Sequence, residues 1–467
     1  MGIKRTSTNI PASPLARSPR AKAPIPPSRS SNPALIDSLA VAWAIPELRR
    51  RIVFVFAMFA VYIVGLHIPI PNINHALLAD YFKSGNGGGI LGLVDVFTGG
   101  ALKSFTVFAL GILPYINSSI IMNLMTFALP HLHELAKEGE SGRKEIAKYT
   151  RYLTMALAFV QALGVTVFLF HQGILIGGWL QAGQVMITMI AGTCFLMWVG
   201  EEITDKGIGN GISLIIFCGI MVRLPTQILQ VGKLVEVGTV EPWRVLILVV
   251  AFFATVTGIV FMTLGERKVP IQHVRKVVGN KMSQGGTSYL PFRVASAGVI
   301  PIIFALSFTL MPLTISQFFK ETTPIGHYMH EWATFFSPGQ LNSNPIPAIV
   351  YALIIIFFTY FYTMVQVNIE DMADNLKKYG SYVPGIRPGK ATMEYLNRVV
   401  TRITLAGALF LAAIALMQNW IPALTKTQGA FTLIGGTSML IVVQVALDTM
   451  RAIEAQLLMR NYEGFIK

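Results

Sequence analysis

The chain has 467 residues, of which 53% are hydrophobic and only 13% charged, and its mean hydropathy is +0.58. A soluble protein carries about 25% charged residues, so this composition excludes an ordinary soluble domain. The apolar residues form blocks near the ~20 residues that a membrane-crossing helix needs, without the short alternating segments of a membrane β-barrel. The net charge of +14 lies mostly between these blocks, where membrane topology requires it.

The amino-terminal region is polar. Residues 1–33 are rich in Ser, Pro, Ala and Arg without an acidic residue, which predicts a disordered basic tail. An organelle transit peptide is the alternative interpretation of this composition. Residues 34–51 are amphipathic and end in three arginines, which predicts a helix lying on the membrane surface.

Ten apolar spans follow, so we predict an all-α polytopic membrane protein. The spans are Ile52–Ile70, Phe105–Leu129, Tyr152–Phe170, Ala182–Gly200, Gly211–Leu229, Trp243–Leu264, Ala297–Phe319, Pro347–Val367, Val399–Trp420 and Thr432–Leu447. They divide into an amino-terminal half, 52–231, and a carboxyl-terminal half, 232–452, followed by a tail, 453–467.

Basic residues predict the orientation of the spans. If the amino terminus is cytoplasmic, the cytoplasmic segments hold 30 of the 37 Lys and Arg residues, and the external loops hold 7. This asymmetry follows the positive-inside rule and favours an even number of spans with both termini in the cytoplasm.

The two halves repeat short motifs at corresponding spans. The second span of each half carries G-x-x-P-x-I, as Gly111, Pro114 and Ile116 and as Gly298, Pro301 and Ile303. The fifth spans match as GISLII (211–216) and GTSMLI (436–441). With five spans per half, the second half is inverted, and inverted repeats place the transport pathway between the halves. We expect the Gly and Pro residues to loosen both second spans.

Isoleucines recur within these repeats, at positions 112, 116, 216, 303 and 441, and the span centres are nearly free of ionisable residues. A pore lined by isoleucine binds no small solute well but can close around an extended polypeptide. The alternative, an inverted-repeat solute transporter, would need a polar or charged site near the midplane.

A short apolar segment precedes the second span. Residues 90–97 are too few to cross a bilayer, and they lie between GNGGG (85–89) and TGG (98–100). We predict a re-entrant segment buried in the protein, with an external surface helix as the alternative.

No catalytic or cofactor motif is present in the sequence, so we expect neither an enzyme nor a bound cofactor or metal. There is no G-x-x-x-x-G-K-[ST], and His131, His133 and Glu134 lack the H-E-x-x-H spacing.

Several strings in order resemble the SecY family of protein-translocation channels. They are FTGGAL (97–102), FALGILPYINSSII (108–121), KEGESGRKEIAKYTRY (137–152), GIGNGISLIIF (207–217), AGVIP (297–301), ADNLKKYGSYVPGIRPG (373–389) and GGTSMLIVV (435–443). The resemblance extends from residue 35 to the carboxyl terminus.

The resemblance implies an hourglass channel for unfolded secretory polypeptides, closed by an aliphatic ring, a plug and a lateral gate. The ring would be Ile112, Ile116, Ile212, Ile216, Ile303 and Ile441. The plug, about residues 89–100, would include Leu93, Val94, Asp95, Val96, Phe97, Thr98, Gly99 and Gly100. The gate, between the second and seventh spans, would include Gly111, Pro114, Asn117, Asn123, Gly298 and Pro301. The two asparagines would form interhelical hydrogen bonds, with a packing role alone as the alternative.

The family also implies partners on the cytoplasmic loops 266–295 and 368–398, namely the ribosome and the SecA motor. The docking residues would be Arg267, Lys268, Arg275, Lys276, Lys281 and Arg387. Many family members have two adjacent basic residues after the glycine at the tip of the first loop, whereas here Asn280 and Lys281 follow Gly279. SecE and SecG subunits, the lipid bilayer and a bacterial inner-membrane location are implied as well.

Overall fold

The computed structural model describes residues 43–83, 95, 98–273, 277–278, 281–282, 286–295, 298–316, 323–336, 340–341, 344–425, 427 and 436–463. Some predicted features lie outside these residues. They are the tail 1–33, most of the surface helix, and the residues Leu93, Val94, Val96, Phe97, Arg275 and Lys276.

The described residues are mostly helical. The first half contains α1 (Pro46–Gly65), α2 (His75–Lys83), α3 (Ala101–Ser104), α4 (Leu113–Ala128), α5 (Pro130–Lys137), α6 (Glu140–His171), α7 (Trp179–Lys206) and α8 (Gly211–Glu236). The second half contains α9 (Pro242–Leu264), α10 (Ile300–Ser316), α11 (Pro324–Phe335), α12 (Pro345–Gln366), α13 (Ile369–Lys378), α14 (Lys390–Thr425) and α15 (Gly436–Glu463).

Among the described residues, six stretches are long and apolar enough to cross a membrane, judged by length and composition: α6, α7, α8, α9, α12 together with α13, and α14. The apolar part of α10 is shorter. Helices α1, α4, α10 and α15 overlap the four remaining predicted spans, and the count of ten crossing helices stays a prediction.

Several helix ends differ from the predicted span boundaries, and two of these differences bear on the site. Helix α1 runs without a break from Pro46 to Gly65, so the three arginines at 49–51 lie in the first span's own helix. Proline suits this start because it lacks the N–H that the first turn leaves unpaired. The second span was expected to be helical from Phe105, but its helix α4 begins only at Leu113.

Strands in the loops between helices correct the all-α prediction. Strand β1 (Glu266–His273) pairs antiparallel with β4 (Thr287–Arg293) and with β5 (Ser381–Tyr382), giving the order β4-β1-β5. Strands β2 (Val277–Val278) and β3 (Lys281–Met282) form a smaller hairpin. In β1 the buried Val269 and Ile271 alternate with exposed residues, the two-residue period of a half-buried strand.

One large hydrophobic cluster joins helices of both halves. It contains buried residues of α1, α4, α7 and α8 together with residues of α9, α10, α12, α14 and α15. A separate cluster lies between the three-stranded sheet and α14, formed by Val269, Phe292, Val383, Leu396 and Val400. The two loops that were predicted as separate docking segments therefore form one packed unit.

Candidate functional site

The two G-x-x-P motifs adopt the same backbone conformation. Gly111 and Gly298 have φ of 58° and 62°, the left-handed region in which glycine avoids a side-chain clash. Each motif's proline is the second residue of its helix, α4 or α10. The glycine N–H donates to the carbonyl three residues back, at Phe108 (2.8 Å) and at Ala295 (3.1 Å).

This geometry corrects the expectation that Gly and Pro loosen a continuous helix. The backbone before each motif is not helical, and the helix starts at the motif. Proline is tolerated there because an N–H in the first turn has no acceptor within the helix. Non-helical backbone is tolerated at membrane depth only where protein covers it. Accordingly Phe108, Ala109, Leu110 and Ile112 are all buried.

The six isoleucines of the predicted ring all belong to the cluster that joins the halves. Ile112, Ile116, Ile216 and Ile441 are buried in it, and Ile212 and Ile303 are half-buried and pack against it. Ile116 and Ile303 are related by the repeat: their N–H groups donate to Ile112 (3.1 Å) and Val299 (3.3 Å), the equivalent acceptors.

The described plug residues Asp95, Thr98, Gly99 and Gly100, hereafter the plug segment, are buried. The Oδ1 atom of Asp95 accepts a hydrogen bond from the Lys103 N–H at 2.8 Å. The Asp95 carbonyl accepts from the Gly100 N–H (3.0 Å) and from Thr98 Oγ1 (3.1 Å). Asp95 therefore holds the segment together through local hydrogen bonds, in addition to the contacts with membrane helices.

Side chains of helices α1 and α8 also contact the plug segment. The Tyr62 hydroxyl donates to the Thr98 carbonyl at 3.4 Å, and Arg223 of α8 forms an ion pair with Asp95, with 2.5 Å between Nη2 and Oδ2. Sequence reasoning missed Arg223, although it stands inside the predicted fifth span. An arginine within an apolar span is itself a signal of function.

The predicted gate helices α4 and α10 are in contact. The Asn117 Oδ1 atom is buried and has no hydrogen-bond donor among the described residues, and Asn123 is exposed. No described residue forms the expected interhelical bond at Asn117 Oδ1. Ser118 instead donates to the Thr150 carbonyl at 2.7 Å and ties α4 to α6.

Aromatic rings line one side of these gate helices. Phe304 of α10 packs edge-on against Phe358 and Tyr362 of α12, with ring centroids 5.8 Å apart in both pairs. Phe127 of α4 contacts Phe361 of α12 at 6.2 Å. Helix α12 therefore contacts both gate helices through aromatic rings.

The predicted docking residues with described side chains lie at the surface. Arg267 and Lys268 are exposed on β1, and Arg387 is exposed in the second loop. The backbone of Lys281 lies in β3. His273 and Ser381 connect the two loops, with 2.7 Å between Nδ1 and Oγ, so Arg267 and Lys268 lie on a strand that is tied to the second loop.

The chain matches the SecY family model over residues 106–450. Protein translocase subunit SecY of Halalkalibacterium halodurans is 43% identical over 93% of this chain and all of that protein. The same subunit of Aquifex aeolicus is 41% identical over 92% of this chain and 99% of its own length.

Solved structures share the fold. A protein-conducting channel superposes with a TM-score of 0.62 at 19% identity, over 89% of this chain and 96% of that one. A SecY protein, studied for a plug domain that stabilises the closed state and maintains a membrane seal, gives 0.61 at 18% over the same shares. Sec61 in a canine ribosome-channel complex from the endoplasmic reticulum gives 0.59 at 18%, again over 89% and 96%. From the family model and the near-full-length relatives together, the chain belongs to the SecY family.

Proposed function

We propose that the two inverted halves enclose a pore for unfolded polypeptide, with ten helices crossing the membrane. The chain is a protein translocase channel subunit and not an enzyme. The observation that carries the finer proposal is the matched backbone of the Gly111 and Gly298 motifs. Two helix starts of the same design, in halves of opposite direction, fit a pathway at the interface of the halves.

The aliphatic ring of Ile112, Ile116, Ile212, Ile216, Ile303 and Ile441 would be the constriction. Their shared cluster supports this role, since side chains from α4, α8, α10 and α15 are gathered in one apolar region. Apolar side chains offer a passing chain no hydrogen bonds or charges, so affinity for any one sequence stays low. The plug segment would block this ring at rest, as the related structure with a plug domain suggests.

The seam between α4 and α10 would serve as the lateral gate through which signal sequences and membrane segments reach lipid. Their contact and the ring packing of α12 against both helices support this assignment. An apolar segment leaves for lipid spontaneously, whereas a charged residue at its centre opposes insertion by about 3 kcal/mol.

The packed unit of the two loops would dock the ribosome or the SecA motor on the cytoplasmic side. A structure with the same fold was determined in a ribosome complex, and the cationic Arg267, Lys268 and Arg387 suit phosphate-rich RNA. The charge asymmetry supports cytoplasmic termini in a bacterial inner membrane. SecE and SecG remain the expected companion subunits.

Polar substitution of the ring tests the proposal. In the full chain reconstituted with its co-purifying subunits, Ile116→Asn with Ile303→Asn should raise the resting ion conductance about tenfold or more, which corresponds to about 1.4 kcal/mol or more in the closed state. Leu246→Asn, at an exposed position of α9, is the matched control and should leave conductance at its original level. Unchanged conductance and unchanged signal-sequence stringency in the ring variant would contradict the assignment.

A solute transporter remains the rival, and the ion pair of Arg223 and Asp95 is the observation that favours it, since it places charge within the spans. However, the two charges neutralise each other. Reconstitution separates the two functions: a transporter moves a small solute alone, whereas a translocation channel needs a motor or ribosome and a signal-bearing polypeptide.

A further inference from the structure

Arg223 is a charged side chain inside a helix that is apolar enough to cross a membrane. Charged residues at such positions are rare, and they usually pair with another group and mark a functional element. Its partner Asp95 belongs to a different element, 128 residues earlier in the chain. The pair therefore connects the plug segment to the wall of the first half.

The geometry of this pair is that of a two-point attachment. Arg223 Nη2 lies 2.5 Å from Asp95 Oδ2, and Nη1 lies 3.5 Å from the Asp95 carbonyl oxygen. The Asp95 side chain is 5% exposed and that of Arg223 is 22% exposed. The other carboxylate oxygen, Oδ1, accepts the Lys103 N–H at 2.8 Å, so both oxygens of Asp95 are engaged.

Two glycines bring the plug segment and α8 into backbone contact beside the ion pair. A Cβ atom added at Gly99 would lie 2.9 Å from the Gly219 Cα atom. A Cβ atom at Gly100 would lie 2.6 Å from the Arg223 Nε atom. The guanidinium therefore lies directly on the glycine backbone, and only residues without side chains allow this approach.

We propose that Arg223 is a positioning residue: its ion pair with Asp95 latches the plug segment onto α8 and keeps the resting channel closed. This inference rests on the proposed function, because it assumes that the segment blocks a pore. The attraction between the two charges is strong while the site is dry and falls steeply once water enters. The latch therefore holds firmly at rest and releases as an opening pore fills with water.

The second half supplies a natural comparison. Asp448 stands twelve residues after Gly436 in α15, as Arg223 stands twelve residues after Gly211 in α8. Asp448 pairs with Arg451 of its own helix at 3.4 Å, and its side chain is 53% exposed. Asp448 is thus a charge at the equivalent repeat position, but its ion pair stays within its own helix. Asp448→Asn is therefore a matched control.

The test is the resting ion conductance of the full chain with its co-purifying subunits in a planar bilayer. Asp95→Asn with Arg223→Met removes both charges, so no unpaired buried charge remains to unfold the protein. The amide introduced at position 95 can still accept the Lys103 N–H through its carbonyl oxygen. We expect conductance to rise about tenfold or more, the unfolding temperature to stay within a few degrees, and Asp448→Asn to match the unsubstituted protein.

The ring variant Ile116→Asn with Ile303→Asn is measured in the same bilayers, and it separates failure of the latch from failure of the channel. If the ring variant leaks and the double-neutral variant does not, the latch is refuted and the channel stands. If neither variant leaks, the pore assignment fails and the latch fails with it. A leak in the double-neutral variant that accompanies a lowered unfolding temperature marks a merely structural role and also overturns the proposal.

Discussion

Helices α4 and α10, which form the second spans of the two halves, begin with the same motif but pack against different residues. A Cβ atom at Gly111 would lie 2.8 Å from the Cγ2 atom of Thr98 in the plug segment. A Cβ atom at Gly298 would meet only the Gln444 side chain, at an ordinary 3.5 Å, among the described residues. The repeat thus gives both helix starts the same backbone, whereas among the described residues only the glycine of the first half packs closely against the plug segment.

The fifth helices show the same contrast. In α8 the arginine at the repeat position reaches out to a separate segment, and the glycine four residues earlier, Gly219, makes room for it. In α15 the equivalent positions carry Asp448 and Gln444, which contact each other at 3.4 Å. The first half therefore holds an added element in place, whereas Asp448 in the second half pairs within its own helix.

The largest effect should come from alanine at the two motif glycines. Both Gly111→Ala and Gly298→Ala place a side chain in the left-handed region, which costs about 1–2 kcal/mol. Only Gly111→Ala also crowds Thr98, which adds about 1–3 kcal/mol. The unfolding free energy in detergent should therefore fall clearly further for Gly111→Ala, and equal losses would contradict the difference between the halves.

The glycine contact on α8 should give the next largest effect. A Cβ atom at Gly219 would lie 2.8 Å from the Tyr62 hydroxyl oxygen, so Gly219→Ala should destabilise the protein by about 1–3 kcal/mol. Gly232 of the same helix has nothing among the described residues within 4 Å of such an atom. Gly232→Ala should instead stabilise by up to about 1 kcal/mol, because alanine favours helices.

The thermal midpoints of these two variants check the comparison, since both make the same chemical change in one helix. Midpoints that move in the same direction would show that the Tyr62 hydroxyl leaves room for a side chain at position 219. The difference between the halves would then depend on Gly111 alone.

The smallest effects concern the neighbouring polar residues of α4. Ser118→Ala removes the bond to the Thr150 carbonyl and should cost about 1 kcal/mol. Asn117→Leu removes a buried oxygen that has no donor among the described residues, so it should be neutral or slightly stabilising. Thermal unfolding of the two variants tests this order, and a larger loss for Asn117→Leu would reveal a polar role for that side chain.

The sequence predicted the approximate positions of the described helices, but not the residue at which the helix of a G-x-x-P motif begins. An apolar run with Gly111 and Pro114 is compatible both with a kinked helix and with a helix that starts at Leu113. The difference lies in the φ of Gly111 and in the protein that covers the preceding residues, and neither can be obtained from composition. The repeat did indicate that both motifs have the same local structure, because the same residues recur at equivalent spans.

The sheet and the ion pair escaped prediction for a different reason. Strand β1 has a clear two-residue alternation, but its partner β5 lies more than a hundred residues later, so the pairing depends on tertiary structure. Arg223 was visible as one arginine in an apolar span. Its partner Asp95 could not be inferred, because Asp95 belongs to a short apolar segment that lies far away in the chain.

The central claim is that a translocating chain touches apolar side chains from both halves at one constriction. The direct measurement is disulfide crosslinking to a cysteine in a stalled secretory chain, using Ile116→Cys or Ile303→Cys after replacement of Cys194 and Cys218 by alanine. Leu246→Cys, exposed on α9, is the control. The account predicts crosslinks from 116 and from 303 at the same position of the stalled chain and none from 246. Crosslinks from only one half, or none from either, would contradict it.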